Sequence, residues 1–478
     1  MKVATAVCMA CMALAGQGFA QQTGPATQPA KEEGVWKLAQ APKVQGVYLL
    51  QQGDWPDEVI KAFHETDFLD GASIRLRWAD FELKDQEFNW APIDKVLSEV
   101  RKYNAAHPGA RRTMQLRVIA GVHSPKWFDD GSVRMYDTAR IDPSNKKWHQ
   151  LHVPMPYDNP GLLKQQRELY RALYDRYGNE PLVVMYHATW SGGAWGEIYH
   201  PKDGAPLPPD YTAEKYFEGM YQQMDVLFEE ICMKGKVGEF AFSGDIPKEL
   251  NLQQKLGQHI VKRMGRRSGF VYVQSNGWGG IKQWIPKPNV GKDVFDLNYG
   301  YQALGTNKNP KAVLAQGDWI PLVQAAEENQ VPYVEIYPED IMPVDDAHNM
   351  TKAFTQPRGQ SDDGFIGYRP WLKERNFTMY WRDGKVLQQF AANGNAAKVT
   401  AIDIQSETPE GTSISARART SIGGTWSEWK DIAEAQNLPA GEKLEVEVLL
   451  HTDDGWRTPV LKKVQPAGEN WTLSGEEK

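Results

Sequence analysis

The sequence predicts a (β/α)₈ TIM barrel followed by an all-β sandwich. Three observations predict it. From residue 44 onward, short β-rich runs alternate with longer amphipathic stretches, with eight such units before about residue 345. The first run leads into Gln51-Gln52-Gly53-Asp54-Trp55-Pro56, which has no G-x-G-x-x-G turn, so a doubly wound nucleotide-binding sheet is disfavoured. After about residue 376 the helical period stops, and strand-like runs recur between turn signals.

The barrel strands are expected at 47–50, 73–78, 114–120, 182–187, 239–243, 270–274, 294–299 and 332–337. Amphipathic helices are expected at about 92–104, 161–177, 213–233, 249–264 and 320–329. A long irregular loop is expected at about 124–160. In the tail, strands are expected at 399–404, 413–420, 426–432, 444–450 and 460–464. Pro409-Glu410-Gly411, Gly423-Gly424 and Pro439-Ala440-Gly441 supply the turns. The expected organisation is a signal peptide at 1–20, a flexible leader at 21–43, a catalytic barrel at 44–375 and an accessory sandwich at 376–478.

The signal peptide rests on Met1-Lys2, an apolar run from Val3 to Ala15, and Gly18-Phe19-Ala20 as a small-residue cleavage site. Export to the periplasm or beyond, from a bacterial cell, is the expectation. Cleavage after Ala20 removes Cys8 and Cys11 and leaves Cys232 alone, so no internal disulfide is expected. Cys232 lies in a helical pattern and reads as a buried apolar thiol. No later stretch approaches the ~20 apolar residues of a membrane span.

The chain has 54 Lys+Arg against 61 Asp+Glu and no basic block. Nucleic-acid binding depends on phosphate neutralisation and is disfavoured. The ten His are scattered without ligand spacing, so neither a metal nor another cofactor is expected. No Gly-x-Ser-x-Gly elbow is present, which disfavours a serine esterase. The unusual count is 17 Trp, several of which fall just after expected barrel strands. Flat indole faces there suit sugar rings, and a carbohydrate is the expected partner.

In a barrel, ligands meet the carboxyl ends of the strands. Arg77 and Trp78 end the second strand, His123 and Trp127 follow the third, and Trp190 and Trp195 follow the fourth. Asp245 follows the fifth, Asn276 and Trp278 the sixth, and Asn298 and Tyr299 end the seventh. Tyr337 follows Glu335 on the eighth. Gly192-Gly193-Ala194-Trp195-Gly196-Glu197 puts a carboxylate among aromatic groups, where burial favours its protonated form, as a general acid needs. On the eighth strand Tyr333, Glu335 and Tyr337 share one face and Val334 and Ile336 the other, which points Glu335 into the barrel toward a partner such as Arg77. Two carboxylates at an aromatic mouth form the constellation for glycoside hydrolysis.

Asp158-Asn159-Pro160, the helix running to Tyr177-Gly178-Asn179-Glu180-Pro181, and Trp195-Gly196-Glu197 resemble the middle of β-galactosidase-like, clan-A glycoside hydrolases. The resemblance covers about residues 44–345. It implies a retaining barrel hydrolase with Glu197 as acid/base and Glu335 as nucleophile, and an arginine role for Arg77. The sequence departs from that family at Gly196, where Asn is usual, and in placing Glu335 on the eighth strand rather than the seventh. Asp245 therefore stands beside Glu335 as an alternative partner carboxylate. A non-catalytic glycan-binding barrel of an uptake system, and a polysaccharide lyase using Tyr299, His123 and Arg77, are the competing readings. The tail, with Thr425-Trp426-Ser427-Glu428-Trp429, loosely resembles accessory β-sandwich modules of secreted carbohydrate enzymes.

Overall fold

The computed structural model describes residues 30–32, 34–40, 44–109, 111–141, 148–191, 205–242, 252–265, 270–276, 298–302, 332–338, 341, 380–453, 457–467 and 470–477. Eight parallel strands close on themselves: Gly46–Gln52, Leu69–Arg77, Thr113–Ile119, Val183–His187, Val237–Phe242, Val271–Asn276, Asn298–Gln302 and Tyr333–Ile336. The eighth pairs with the first through Val334↔Val47 and Glu335↔Tyr48, so the barrel has no free edge. The strand count is the one the sequence predicts, and Glu335 does lie on the eighth.

The first, second, third and eighth strands carry aliphatic residues on their outer sides. Val47, Leu49, Ile74, Leu76, Leu116, Val118, Val334 and Ile336 pack with the helices in one core. Those helices include Ala91–Ala106, Pro160–Tyr177, Ala213–Glu230 and Leu252–Met264. Asn159 caps the second of them by accepting from Leu162 N–H, and Thr212 caps the third at Lys215 N–H. Cys232 is buried beneath it.

The inner faces are different. The floor of the barrel is aromatic: Tyr272 lies 5.6 Å from Tyr333, and Tyr48, one tier higher, meets Tyr333 edge-on at 6.0 Å. Tyr48 fits because its neighbour is Gly71, where a Cβ would lie 2.3 Å from the ring. The buried hydroxyls are satisfied by Thr113 Oγ1 and by the Val44 carbonyl.

Several expectations need correction. The seventh strand continues past Asn298 and Tyr299 to Gln302 rather than ending there. The stretch read as an irregular loop holds an antiparallel hairpin, Met135–Ile141 with Trp148–Pro154. The segment read as a flexible leader contributes two strands, Ala30–Glu32 and Val35–Lys37. The second pairs with Val460–Pro466 through Trp36↔Leu461. Residues from near the amino terminus thus complete a four-stranded sheet with Ile402–Glu407 in the carboxyl-terminal sandwich. Burial of Trp36 and Leu38 against Leu444, Val446 and Leu461 explains the order.

The opposing sheet is built on Thr412–Ile422, Lys443–Thr452, Asp383–Ala392 and Trp471–Glu477. Asp383–Ala392 is absent from the sequence expectation because its inward position 388 is a glutamine, which breaks the apolar alternation. Trp426 and Trp429 stay out of the core and stack on Arg419 at 4.7 and 4.5 Å.

Candidate active site in the barrel

The ladder registers sort the inward residues into tiers, rising one residue per strand around the barrel. Tyr48, Gln115 and Glu239 share one tier above the floor. Ser73, His187 and Glu335 share the next. Leu50, Arg117 and Gln302 follow, with Arg75 and Tyr337 nearest the mouth. A barrel interior is usually filled by branched aliphatics. Here two arginines, two glutamates and a histidine occupy it.

Arg117 joins the charges. Its Nη2 donates to Glu335 Oε2 at 2.8 Å and to Glu239 Oε2 at 3.0 Å. All three side chains are at most 1% exposed. Burial pushes the Glu239 carboxyl from the ordinary 4.5 up to about 8, against the pull of the Arg117 charge and with a further push from Glu335. Burial, helped by the charges of Arg117 and Arg75, holds His187 well below its usual range, so the ring is neutral. Removing a buried ion pair's partner is far worse than never having the pair, so such a cluster is a functional-site candidate.

Tyr337 accepts a hydrogen bond from Gln302 Nε2 at 2.8 Å, which ties the ends of the seventh and eighth strands together. His123 and Trp127 lie in short turns after the third strand, and both are half-buried. Trp127 packs edge-on against Phe128 at 4.6 Å. Asn276 is the last residue of the sixth strand, at its carboxyl end as expected.

Other expectations fail. Asn298 pairs with Tyr272 of the floor, so it and Tyr299 belong to the amino end of the barrel, away from the mouth. Arg77 does not meet Glu335; it is half-exposed and only approaches Asp80 at 4.0 Å. Height explains the substitution: Arg77 has the same parity as Ser73 and Arg75 but ends its strand at the rim, whereas Arg117 lies two residues lower, beside Arg75 and next to Glu335. Trp78 is fully buried, donates to Glu82 Oε2 at 2.6 Å and meets Phe128 edge-on at 5.1 Å. Trp190 is buried against Phe240 at 5.4 Å. Both are packing residues, not open sugar platforms. Glu197, Trp195, Asp245 and Trp278 lie outside the described residues.

Arg117, Arg75, Glu239 and His187 were missed by the sequence reading. The signal was present: a parallel strand buried on both faces should read as a continuous apolar run. Ser73-Ile74-Arg75-Leu76-Arg77 and Gln115-Leu116-Arg117 instead alternate with charge. Among the described residues no cluster of His, Cys, Asp and Glu could hold a metal ion.

No family model matches the chain, and no curated protein matches it. Solved structures do. A psychrophilic glycoside hydrolase family 10 endo-β-1,4-xylanase matches 61% of this chain and 86% of its own, with 15% identity and a TM-score of 0.38. Endo-glycoceramidase II from Rhodococcus sp. matches 89% of this chain and 99% of its own, with 10% identity and a TM-score of 0.39. An exo-β-1,4-mannosidase from Opitutaceae bacterium strain TAV5 matches 73% of this chain and 62% of its own, with 10% identity and a TM-score of 0.40. Likeness at this level identifies no residue of the site.

Proposed function

We propose that this protein is an exported glycoside hydrolase that cleaves a poly- or oligosaccharide at the carboxyl mouth of its barrel. The observation that carries the reading is Glu335, a carboxylate fixed by Arg117 inside a closed barrel. The mechanism is retaining: Glu197 protonates the leaving oxygen and later activates water, while Glu335 attacks the anomeric carbon. Arg117 orients Glu335 and balances its charge. The neutral His187 and the elevated Glu239 add no further negative charge around it at pH 7.

The test is a glycan-library screen with products read by mass. Hydrolysis adds one water. An unsaturated end means a lyase, and an unchanged but bound glycan means a binding barrel; either result rejects the proposal. The nucleophile is tested separately with Glu335→Ala and azide. A nucleophile variant regains turnover and forms a glycosyl azide. An inactive, folded variant without azide rescue gives Glu335 a supporting role and moves the search to Asp245.

A further inference from the structure

Arg75 differs from the other inward charges in having nothing to balance it. It lies in register with Arg117 of the third strand. Arg117 in turn neighbours His187 of the fourth strand, and His187 neighbours Glu239 of the fifth. All four are at most 3% exposed. Arg117 is matched by Glu335 at 2.8 Å. Glu239, raised by burial, keeps its proton at neutral pH, and His187 is neutral. Among these described residues the cations outnumber the anions by one, and Arg75 carries the excess.

Arg75 Nε and Nη2 are buried and have no hydrogen-bond partner. These two nitrogens form one edge of the guanidinium, where parallel N–H bonds take two oxygens of a single carboxylate or sulfate side by side. A buried charge without a partner is costly, so the position calls for an anion from outside the chain. Acceptors for hydroxyl groups line the same interior. His187 Nδ1 donates to the Ala188 carbonyl at 2.8 Å, so the neutral ring offers Nε2 as an unpartnered acceptor. Gln302 Nε2 donates to the Tyr337 hydroxyl, which leaves Gln302 Oε1 as a second. An anion-binding edge with two hydroxyl-binding acceptors suits a sugar ring that carries an acidic group. A neutral sugar would leave the Arg75 edge without an anion.

We propose that the glycan is acidic and that Arg75 binds its carboxylate or sulfate inside the barrel. The inference rests on the barrel interior being the carbohydrate site of the proposed hydrolase, and it names the substrate class of that site.

The test compares acidic oligosaccharides with neutral partners of the same backbone, using the full chain. The probes are oligogalacturonate, oligoglucuronate and oligomannuronate beside their methyl esters, and sulfated galactan oligosaccharides beside desulfated ones. Calorimetry reads binding, and product mass reads cleavage. At least one acidic probe is expected to bind ~10²-fold more tightly than its neutral partner, and the uronate and sulfate pairs tell which acidic group is recognised. Arg75→Met should lower that preference by ~10²-fold. Arg75→Lys should keep part of it, because the charge remains while the two-pronged edge is lost. Without glycan, Arg75→Met should melt no lower than the wild type, since it strands no partner. Equal affinity within every pair, no binding of any acidic probe, or a preference that survives Arg75→Met overturns the inference. An Arg75→Met protein that melts well below the wild type also overturns it, by showing that the guanidinium serves the fold. An acidic glycan that binds through Arg75 uncleaved, or is cleaved to an unsaturated end, supports the inference and rejects the hydrolase. Hydrolysis confined to neutral glycans does the reverse.

Discussion

Arg117 and Glu335 stand 218 residues apart in the chain and 2.8 Å apart in the barrel. The same guanidinium nitrogen reaches Glu239 at 3.0 Å, so one cation holds two buried carboxyls. Arg117→Met should therefore lose about 3–5 kcal/mol of stability, because it strands buried acid groups without their counter-charge. Urea unfolding at neutral pH measures this. A loss below about 1 kcal/mol, the range of an exposed pair, would show that the cluster is solvated instead.

Glu239 makes stability fall with rising pH. Its folded-state carboxyl is pushed up to about 8, mainly by burial, from the ordinary 4.5. Between those values the unfolded chain has released this proton and the folded chain keeps it. The unfolded state then binds fewer protons, so the stability contributed below 4.5 is lost progressively until about 8. Glu239→Gln removes this dependence. The expected outcome is that the variant gains on the wild type as pH rises through that window. Parallel unfolding curves against pH would refute the shift.

His187 acts on the other side. Its folded-state ring stays neutral well below the ordinary 6.5, held there by burial and by Arg117 and Arg75. The unfolded chain takes up a proton below 6.5, so stability is present above that pH and falls below it. His187→Gln should be less sensitive to acid than the wild type in thermal melts between neutral pH and the acid range.

Trp78 distinguishes packing from sugar stacking. It is fully buried and bonded to Glu82, so Trp78→Ala should cost about 3–5 kcal/mol. Trp127 is half-buried in a turn after the third strand. Trp127→Ala should cost less stability and more affinity for the glycan that the screen identifies. Calorimetry of both variants, free and with that glycan, reads the two effects apart.

Trp36 tests the union of the two ends of the chain. It is 5% exposed within the sandwich core. Trp36→Ala, or deletion through Lys37, should lower the melting transition of the sandwich and leave that of the barrel near its wild-type value. A single unchanged transition would mean that the strand pairing contributes nothing.

Much of the barrel was legible in local pattern. Val334 and Ile336 alternate with Tyr333, Glu335 and Tyr337, and a period of two assigns them to opposite faces without any knowledge of the neighbours. The site was legible only in part. Arg77 and Arg117 both carry the right chemistry, but the sequence offers no measure of which is nearer Glu335. Trp78 and Trp190 fall after barrel strands in the sequence and inside the packing in the fold, because a position along the chain does not state which way a ring turns.

The sequence by itself determined the alternation of strand and helix, the change to strands in the tail and the inward direction of Glu335. These depend on the period of apolar residues within a dozen positions. Tertiary structure alone decided that Arg117 bridges Glu335 and Glu239, that Asn298 pairs with Tyr272 near the floor, and that Trp36 joins a sheet with Leu461. Those outcomes follow from register, closure and shared burial between segments hundreds of residues apart, where the favourable energy belongs to the pair and to neither segment alone.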